Sequence, residues 1–187
     1  MSAFEARLRE ARVLPVVRAA DADAALAAAA QLVDRGHRVL EFTATTKDWT
    51  DAVAGARRDW PEATIGAGTI RTAEDARRAI QAGAAFLVSP WPAPDVRTVA
   101  DRDGVPFLEG GFTPAELAAA TARGPAKLFP AHVAGPAYLR SLLAVLPGAA
   151  VVPTGGVQPE AIEDYLQVGA LAVGINADRL IRREGNE

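Results

Sequence analysis

The sequence predicts a single-domain α/β protein, a closed (β/α)8 barrel of the TIM type, over residues 1–187. Short β-branched runs alternate with alanine-rich runs of helical spacing along the whole chain. The alternation repeats about every 20 to 26 residues, which is typical of parallel βα units. Eight strands can be counted, and eight such units favour closure into a barrel.

Each predicted element follows from its local pattern. Eight apolar, β-branched segments are predicted strands: 13–19, 38–44, 64–70, 85–90, 105–110, 126–131, 149–156 and 170–176. Seven segments between them have helical spacing: 22–35, 47–59, 72–82, 94–102, 114–123, 136–146 and 159–167. Several helices follow a suitable N-cap such as Asp21, Thr72 or Thr113, and several end before a glycine such as Gly36 or Gly169.

The two ends of the chain depart from a plain barrel. Residues 3–11 form an extra N-terminal helix, which we expect to plug the barrel floor. After the last strand only "ADRLIRREGNE" remains, so the final helix is predicted to be short. A full helix there normally covers the last and first strands. The seam is therefore expected to be poorly covered, or covered by a neighbouring subunit.

An open doubly wound sheet is the alternative fold. It fits less well because "IGAGTI" lacks the G-x-G-x-x-G spacing of a dinucleotide turn and falls on the third strand.

Composition excludes several classes of function. Lys plus Arg number 20 and Asp plus Glu number 23, a net charge of −3 that offers no footprint for nucleic acid or an anionic membrane. The chain has no cysteine and two histidines, which argues against thiolate and histidine-rich metal sites. We predict no metal and no cofactor. No basic start precedes an apolar run, and no run is long enough to cross a membrane, so a soluble, cytoplasmic protein is expected.

Polar residues collect near the carboxyl ends of the predicted strands, where barrels of this kind carry their chemistry. Taken alone, each could be a solvated strand end or a turn residue. Reading inward positions by alternation gives the following set: Arg18, Glu41, Thr43, Thr69, Ser89, Glu109, Lys127, Phe129, Thr154, Gly155, Gly156 and Asn176.

Lys127 in "AKLFPA" and Glu41 in "VLEFTA" are the candidates for catalysis. Both stand in apolar strands, where a charge is costly without a partner. A purely structural ion pair is the alternative, but buried pairs are poor stabilisers because desolvation offsets the attraction. Burial also disfavours the charged form of a lysine, and the neutral amine can form a Schiff base with a ketone. A nearby carboxylate can then move the protons.

These segments together resemble a known family, the 2-keto-3-deoxy-6-phosphogluconate (KDPG) and 4-hydroxy-2-oxoglutarate (KHG) aldolases. The resemblance runs from about residue 10 to residue 174. It is carried, in order, by "VLPVVRA", "VLEFT", "IGAGTI", "LVSP", "TPAEL", "AKLFPA", "VPTGGV" and "LAVG". It implies a class I aldolase on a (β/α)8 barrel, usually a homotrimer, that needs no metal.

The resemblance also implies roles for individual residues. Lys127 would form the Schiff base and Glu41 would act as the general acid and base. Thr69 and Arg18 would contact the substrate carboxylate, and Phe129 would wall the pyruvyl group. The far end of the substrate, often a phosphate, would be bound by the residues after strands 7 and 8: Thr154, Gly155, Gly156 and Asn176.

The chain departs from the family pattern around this core. Thr45 replaces a common arginine, His132 follows "FPA", and Ile175-Asn176 replaces Gly-Ser. Glu109-Gly110 replaces Pro-Gly, which is expected to add a carboxylate near the mouth of the barrel. Arg18 would then be the main charge of the pocket, with Asp178 near the phosphate position and Arg179 able to offset it only by pointing the same way. We therefore expect phosphorylated substrates to be favoured only weakly.

The predicted function is that of a lyase, a class I aldolase that cleaves a 2-keto-4-hydroxy acid such as KDPG or KHG to pyruvate and an aldehyde. Its partners are the small-molecule keto acid and further copies of the chain. Two alternatives stay open: a decarboxylase of oxaloacetate-type β-keto acids using the same lysine, and a catalytically silent phosphate-binding or assembly barrel.

Overall fold

A computed structural model of the protein describes residues 2–184. Its eight strands are all parallel and form one sheet in the order β7-β6-β5-β4-β3-β2-β1-β8. An isolated parallel bridge between Thr154 and Gly174 joins the two edge strands, and the Leu171 N–H donates to the Val151 carbonyl at 2.8 Å. The sheet is thereby nearly closed, which confirms the predicted barrel.

The elements follow the predicted order, with shorter strands. The strands are β1 Val13–Val17, β2 Val39–Thr43, β3 Thr64–Gly68, β4 Leu87–Val88, β5 Phe107–Gly111, β6 Ala126–Leu128, β7 Val151–Pro153 and β8 Val173–Asn176. The helices are α1 Ala3–Ala11, α2 Ala22–Asp34, α3 Trp49–Asp59, α4 Ala73–Gln81, α5 Pro94–Asp103, α6 Pro114–Thr121, α7 Gly135–Val145, α8 Ile162–Gln167 and α9 Ala177–Glu184. Short 3-10 turns precede α7 and α8.

The predicted N-caps form. The side chains of Asp21, Thr72 and Thr113 accept backbone N–H groups at the starts of α2, α4 and α6. Glu116 completes a capping box with Thr113. Its carboxylate accepts the N–H groups of Thr113 and Phe112, which lowers the pKa of Glu116.

Alternation along each strand separates two apolar layers. On β2, Leu40 and Phe42 belong to the large cluster between sheet and helices, whereas Val39 belongs to a smaller cluster inside the barrel. Glu41 has the parity of Val39 and therefore faces the barrel interior. The same rule fixes which side chains can reach a site at the carboxyl ends of the strands.

Helix α1 plugs the barrel floor, as predicted. Phe4 and Leu8 are buried in the interior cluster together with residues of β1, β2, β4, β5 and β7. The Phe4 ring lies 4.7 Å from the Phe86 ring, centroid to centroid. The lower half of the barrel is therefore filled with apolar side chains, and open space is left only above them.

Helix α9 is short, as predicted, yet it covers the seam. It packs against α2 and β1, and its Ala177 and Leu180 belong to the outer apolar cluster. The expectation that the seam is open or needs a neighbouring subunit is wrong, because two turns of helix suffice where α9 starts directly after β8. Within residues 2–184, no helix is long and apolar enough to cross a membrane.

The floor plug leads to a prediction about stability. Leu8 is fully buried, so Leu8→Ala should lower the free energy of unfolding by about 2–5 kcal/mol through lost burial and a residual cavity. Val145→Ala is the control, because Val145 is 66% exposed, and it should change stability by less than about 0.5 kcal/mol. Urea unfolding measures both, and equal effects would show that α1 does not stabilise the barrel.

Candidate active site

A cavity of about 450 Å3 opens at the carboxyl ends of the strands. Side chains and backbone from seven strand ends and from α9 contribute to it. It is lined by Val16, Arg18, Glu41, Thr45, Thr69, Arg71, Pro90, Trp91, Lys127, Phe129, Thr154, Gly155, Gly156, Val157, Gly174, Asn176 and Arg179. All nine residues predicted for catalysis or substrate binding are among them.

Lys127 and Glu41 form the buried floor of this cavity. The Lys127 Nζ lies 3.6 Å from the Glu41 Oε1, and the two side chains are 5% and 0% exposed. Neither Glu41 oxygen has a hydrogen-bond partner within the described part of the chain. Such a carboxylate is poorly compensated for a structural ion pair, and it is free to exchange protons with a molecule that enters.

The neighbouring strand is shaped to admit the carboxylate. A Cβ at Gly68 would lie 1.8 Å from the Glu41 Oε1, so β3 must carry glycine at this point. The second glycine of "GAG" is therefore explained by the Glu41 side chain, and the first, Gly66, by the Phe86 ring, which would lie 2.3 Å from a Cβ there. Thr69, the next residue, has φ 59°, a left-handed conformation that is rare for a β-branched residue, and it lines the cavity.

Phe129 stands beside the lysine. Its ring centroid lies 5.4 Å from the Lys127 Nζ, and its N–H donates to the Gly111 carbonyl at 3.0 Å. Lys127 and Phe129 share a parity, so both face the cavity. The turn that follows is tied down by Tyr165, whose hydroxyl donates to the Ala131 carbonyl at 2.9 Å, and burial raises the pKa of Tyr165.

The loop after β7 forms one rim of the cavity. Gly155 and Gly156 both have left-handed backbones, with φ of 92° and 71°. The backbone N–H of His132 donates to the Gly155 carbonyl at 3.1 Å, and its Nδ1 lies 3.0 Å from the same oxygen. His132 thus braces this loop. Among the hydrogen bonds within residues 2–184, none uses the N–H of Gly155 or Gly156.

The cavity is more basic than the sequence predicts. The expectation that Arg18 is its main charge is wrong, because Arg71 and Arg179 also line it. With Lys127, they set four cationic side chains against the single lining carboxylate of Glu41. A chain of net charge −3 therefore has a positive active-site cleft, which concentrates anionic ligands.

The negative charge of Asp178, expected near the phosphate position after β8, does not line the cavity. Asp178 is exposed and is not a lining residue, and its N–H donates to the Asn176 Oδ1 at 2.9 Å. Asn176 thereby caps the start of α9 while it lines the cavity. The Arg179 Nη1 donates to the Gly156 carbonyl at 3.2 Å, which joins α9 to the β7 loop.

Three residues of the predicted inward set do not reach the cavity. Val88 and Leu108 face the barrel interior, so Ser89 and Glu109 face outward by parity. Glu109 pairs instead with Arg97 of α5 at 3.1 Å, and Ser89 bonds to backbone. Thr43 also stays out of the lining, and its hydroxyl lies 3.1 Å from that of Thr45. The idea that Glu109 adds a carboxylate to the mouth is therefore wrong.

Among the charged and aromatic lining residues, the sequence does not predict Arg71 and Trp91, and it offers Arg179 only as an offset to Asp178. They stand beyond the strand ends, in loops or at a helix start, where alternation no longer decides direction. Arg71 could have been found, because it follows Thr69 by two residues.

Fold and site together define a (β/α)8-barrel lyase of the class I aldolase type, with an amine and a carboxylate buried under an anion-attracting cleft. The model of the KDPG and KHG aldolase family matches residues 4–181. The chain therefore belongs to the KDPG and KHG aldolase family.

Individual relatives agree with this assignment. The chain is 36% identical to the 2-dehydro-3-deoxy-phosphogluconate aldolase of Treponema pallidum over 167 residues, 87% of this chain and 79% of that one. It is 31% identical to the KHG/KDPG aldolase of Escherichia coli K12 over 174 residues, 91% of this chain and 82% of that one. A crystal structure of the KDPG aldolase from Legionella pneumophila, with pyruvate captured as a covalent carbinolamine, matches with a TM-score of 0.87 and 27% identity. The match covers 98% of this chain and 93% of that one.

Proposed function

We propose that this aldolase cleaves KDPG to pyruvate and glyceraldehyde 3-phosphate, with Lys127 as the Schiff-base residue and Glu41 as the proton carrier. The observation that carries the proposal is the buried pair on the cavity floor, with the Lys127 Nζ 3.6 Å from a Glu41 oxygen that has no other partner in residues 2–184. The names of the relatives point to the same substrates.

The first stage joins the lysine to the substrate. The neutral Lys127 amine attacks the C2 carbonyl carbon and gives a carbinolamine. Glu41, protonated at this point, gives its proton to the carbinolamine hydroxyl, which leaves as water, and an iminium forms. The buried surroundings favour this chemistry because they disfavour a lone ammonium.

The second stage breaks the carbon–carbon bond. The Glu41 carboxylate, directly or through a water, takes the proton of the C4 hydroxyl. The C3–C4 electron pair moves toward the iminium nitrogen, the aldehyde leaves, and an enamine remains. Returning the proton to C3 and adding water across the imine releases pyruvate and frees Lys127. One carboxylate serves in both directions of proton transfer.

The pyruvyl half of the substrate fits the lower cavity. Arg18 and Thr69 line it on the β1 and β3 sides and would bind the carboxylate, Arg18 as a fork of N–H donors. Phe129 presents an apolar ring beside the Lys127 Nζ, 5.4 Å from its centroid, and would wall the methyl group.

The phosphate would lie at the β7–β8 rim. Gly155 and Gly156 offer unengaged N–H groups within the described chain, and Thr154, Asn176 and Arg179 line the same side. Backbone N–H groups and an arginine at a helix start are suited to a phosphate. We therefore revise the expectation of a weak phosphate preference and propose a strong one.

The alternatives fit less well. A silent barrel has no need of an unpartnered carboxylate 3.6 Å from a buried amine. An oxaloacetate-type decarboxylase would use the same iminium, and the cations around Arg71 and Arg179 would also suit its second carboxylate, so the names of the relatives are what favour the aldolase.

We propose further that the protein is a homotrimer in the cytoplasm, as the family resemblance and the sequence suggest. Light scattering should give three times the chain mass of 19.5 kDa, and a monomeric mass would contradict the proposal. Cell fractionation tests the compartment.

Borohydride trapping tests the Schiff base. Pyruvate with borohydride should add one reduced pyruvyl group, carried by the peptide that contains "AKLFPA". Lys127→Ala and Lys127→Arg should both abolish the adduct, since arginine is no amine nucleophile. The chain has two lysines, so Lys47→Arg is the matched control: Lys47 has a side chain that is 77% exposed, and its replacement should leave trapping unchanged. Labelling that survives Lys127→Ala would refute the assignment.

Glu41→Gln tests the proton carrier. The amide keeps the size of the side chain but cannot shuttle protons, so kcat should fall by a factor of about 10² to 10⁴ while the fold persists. Glu163→Gln is the control, because that carboxylate is 60% exposed and paired with Arg12. A near-normal rate in folded Glu41→Gln protein would make Glu41 structural only.

Phosphate recognition is tested with KDPG and its unphosphorylated analogue. The wild type should prefer KDPG in kcat/KM by about a hundredfold or more, and Arg179→Gln should reduce that preference about tenfold or more, the worth of a charged hydrogen bond. Arg182→Gln, an exposed residue on the same helix outside this cavity, should leave it unchanged. Comparable rates on both substrates in the wild type would disprove the phosphate site.

A further inference from the structure

Trp91 is a large aromatic residue at the cavity that is about half exposed to solvent. The residue is 51% exposed and lines the cavity after β4. In the part of the chain that the structure describes, the other large exposed apolar residues are Val133 and Val145, and neither lines the cavity. Trp91 is therefore the large exposed apolar residue of this part of the chain that also lines the cavity.

The loop that carries Trp91 is fixed on one side by Ser89. The Ser89 hydroxyl donates to the Trp91 carbonyl at 2.7 Å and accepts the Gly110 N–H at 3.0 Å. A Cβ at Gly110 would lie 2.5 Å from the Trp91 nitrogen, so glycine is needed for the loop to cross the end of β5. The two strand ends are thereby locked together beneath the indole.

Glu109 fixes the other side of the loop. One of its oxygens accepts the Ala93 N–H at 2.9 Å, and the other accepts the Arg97 Nη2 at 3.1 Å. The Arg97 and Glu109 side chains are only 10% and 11% exposed, so the pair is largely shielded from water. Prolines at 90, 92 and 94 restrict the backbone between these anchors. A backbone that is already fixed has less conformational freedom to lose when its side chain contacts a ligand.

Trp91 lies across the cavity from the anion-binding rim. In the closed sheet β4 is four strands away from β8, so the loop after β4 faces the loop after β8. A substrate held on Lys127 would therefore have Arg179 on one side, and on the other Trp91 and Pro90 next to Arg71 from the neighbouring end of β3. An aromatic or apolar body would bury the indole without needing a phosphate.

We propose that Trp91 is a specificity-determining residue that lets the enzyme use aldehydes with an aromatic or apolar body, and so make and cleave 4-aryl-4-hydroxy-2-oxobutanoates. The proposal rests on the proposed function at Lys127. The enamine carbon of bound pyruvate attacks the aldehyde carbon, a carbon–carbon bond forms, the aldehyde oxygen takes a proton, and water releases the product from the lysine. The aldehyde ring packs on the indole in an offset or edge-to-face arrangement.

The experiment compares two neutral acceptors, benzaldehyde and glycolaldehyde, each added to pyruvate. Neither carries a phosphate, so the arginines are not tested. Their intrinsic reactivities differ, but that difference cancels when the ratio of their kcat/KM values is compared between variants. Trp91→Ala should lower the benzaldehyde-to-glycolaldehyde ratio about tenfold or more, whereas Trp91→Phe should keep most of it. Should the alanine variant fail to fold, Trp91→Ser replaces it, with the same drop expected because serine also removes the apolar surface.

Val145→Ala is the control, because Val145 is exposed and far from the lining, and its ratio should match the wild type. A ratio that survives Trp91→Ala, or no benzaldehyde product in a wild type that uses glycolaldehyde, would overturn the inference alone. Failure of the wild type to trap pyruvate on Lys127 with borohydride would instead overturn the proposed function and this inference together.

Discussion

The Lys127 amine and the Glu41 carboxylate occupy a space that water barely reaches, and the surrounding structure depends on keeping them 3.6 Å apart there. Burial of two unlike charges without further partners is unfavourable, so the barrel must hold them by packing. Gly68 leaves room for the carboxylate, and helix α1 fills the floor below with Phe4 and Leu8. The reactive pair therefore sits on a solid apolar base and opens in one direction only.

The cationic residues of the chain are placed so that several of them surround this opening. The chain as a whole is slightly acidic, yet the cavity is lined by Arg18, Arg71 and Arg179. Both lysines of the chain have clear positions, Lys127 inside the cavity and Lys47 on the surface. The other cations of the lining are arginines, which stay protonated and are suited to binding anions. The buried lysine is therefore the one cation of the lining that can act as a nucleophile.

The polar residues at the strand ends fall into two groups with different functions, according to the side of the sheet that they face. Residues of one parity, such as Glu41 and Thr154, meet the substrate cavity. Residues of the other parity, such as Ser89 and Glu109, anchor the loop between β4 and α5 from behind. The position of Trp91 at the cavity mouth thus depends on residues that do not line the cavity, because their hydrogen bonds hold the loop that carries it.

The sequence by itself determined the barrel, its eight units, the floor plug and the catalytic pair, because local periodicity decides strand and helix, and a lone charge in an apolar strand stands out. It could not decide the direction of Ser89 and Glu109, since β4 is regular only over Leu87–Val88 and alternation cannot be counted through irregular backbone. Nor could it bring Arg71, Trp91 and Arg179 to one cavity. Those residues follow the strand ends, and only closure of the sheet, which sets β4 opposite β8, places them around the same space.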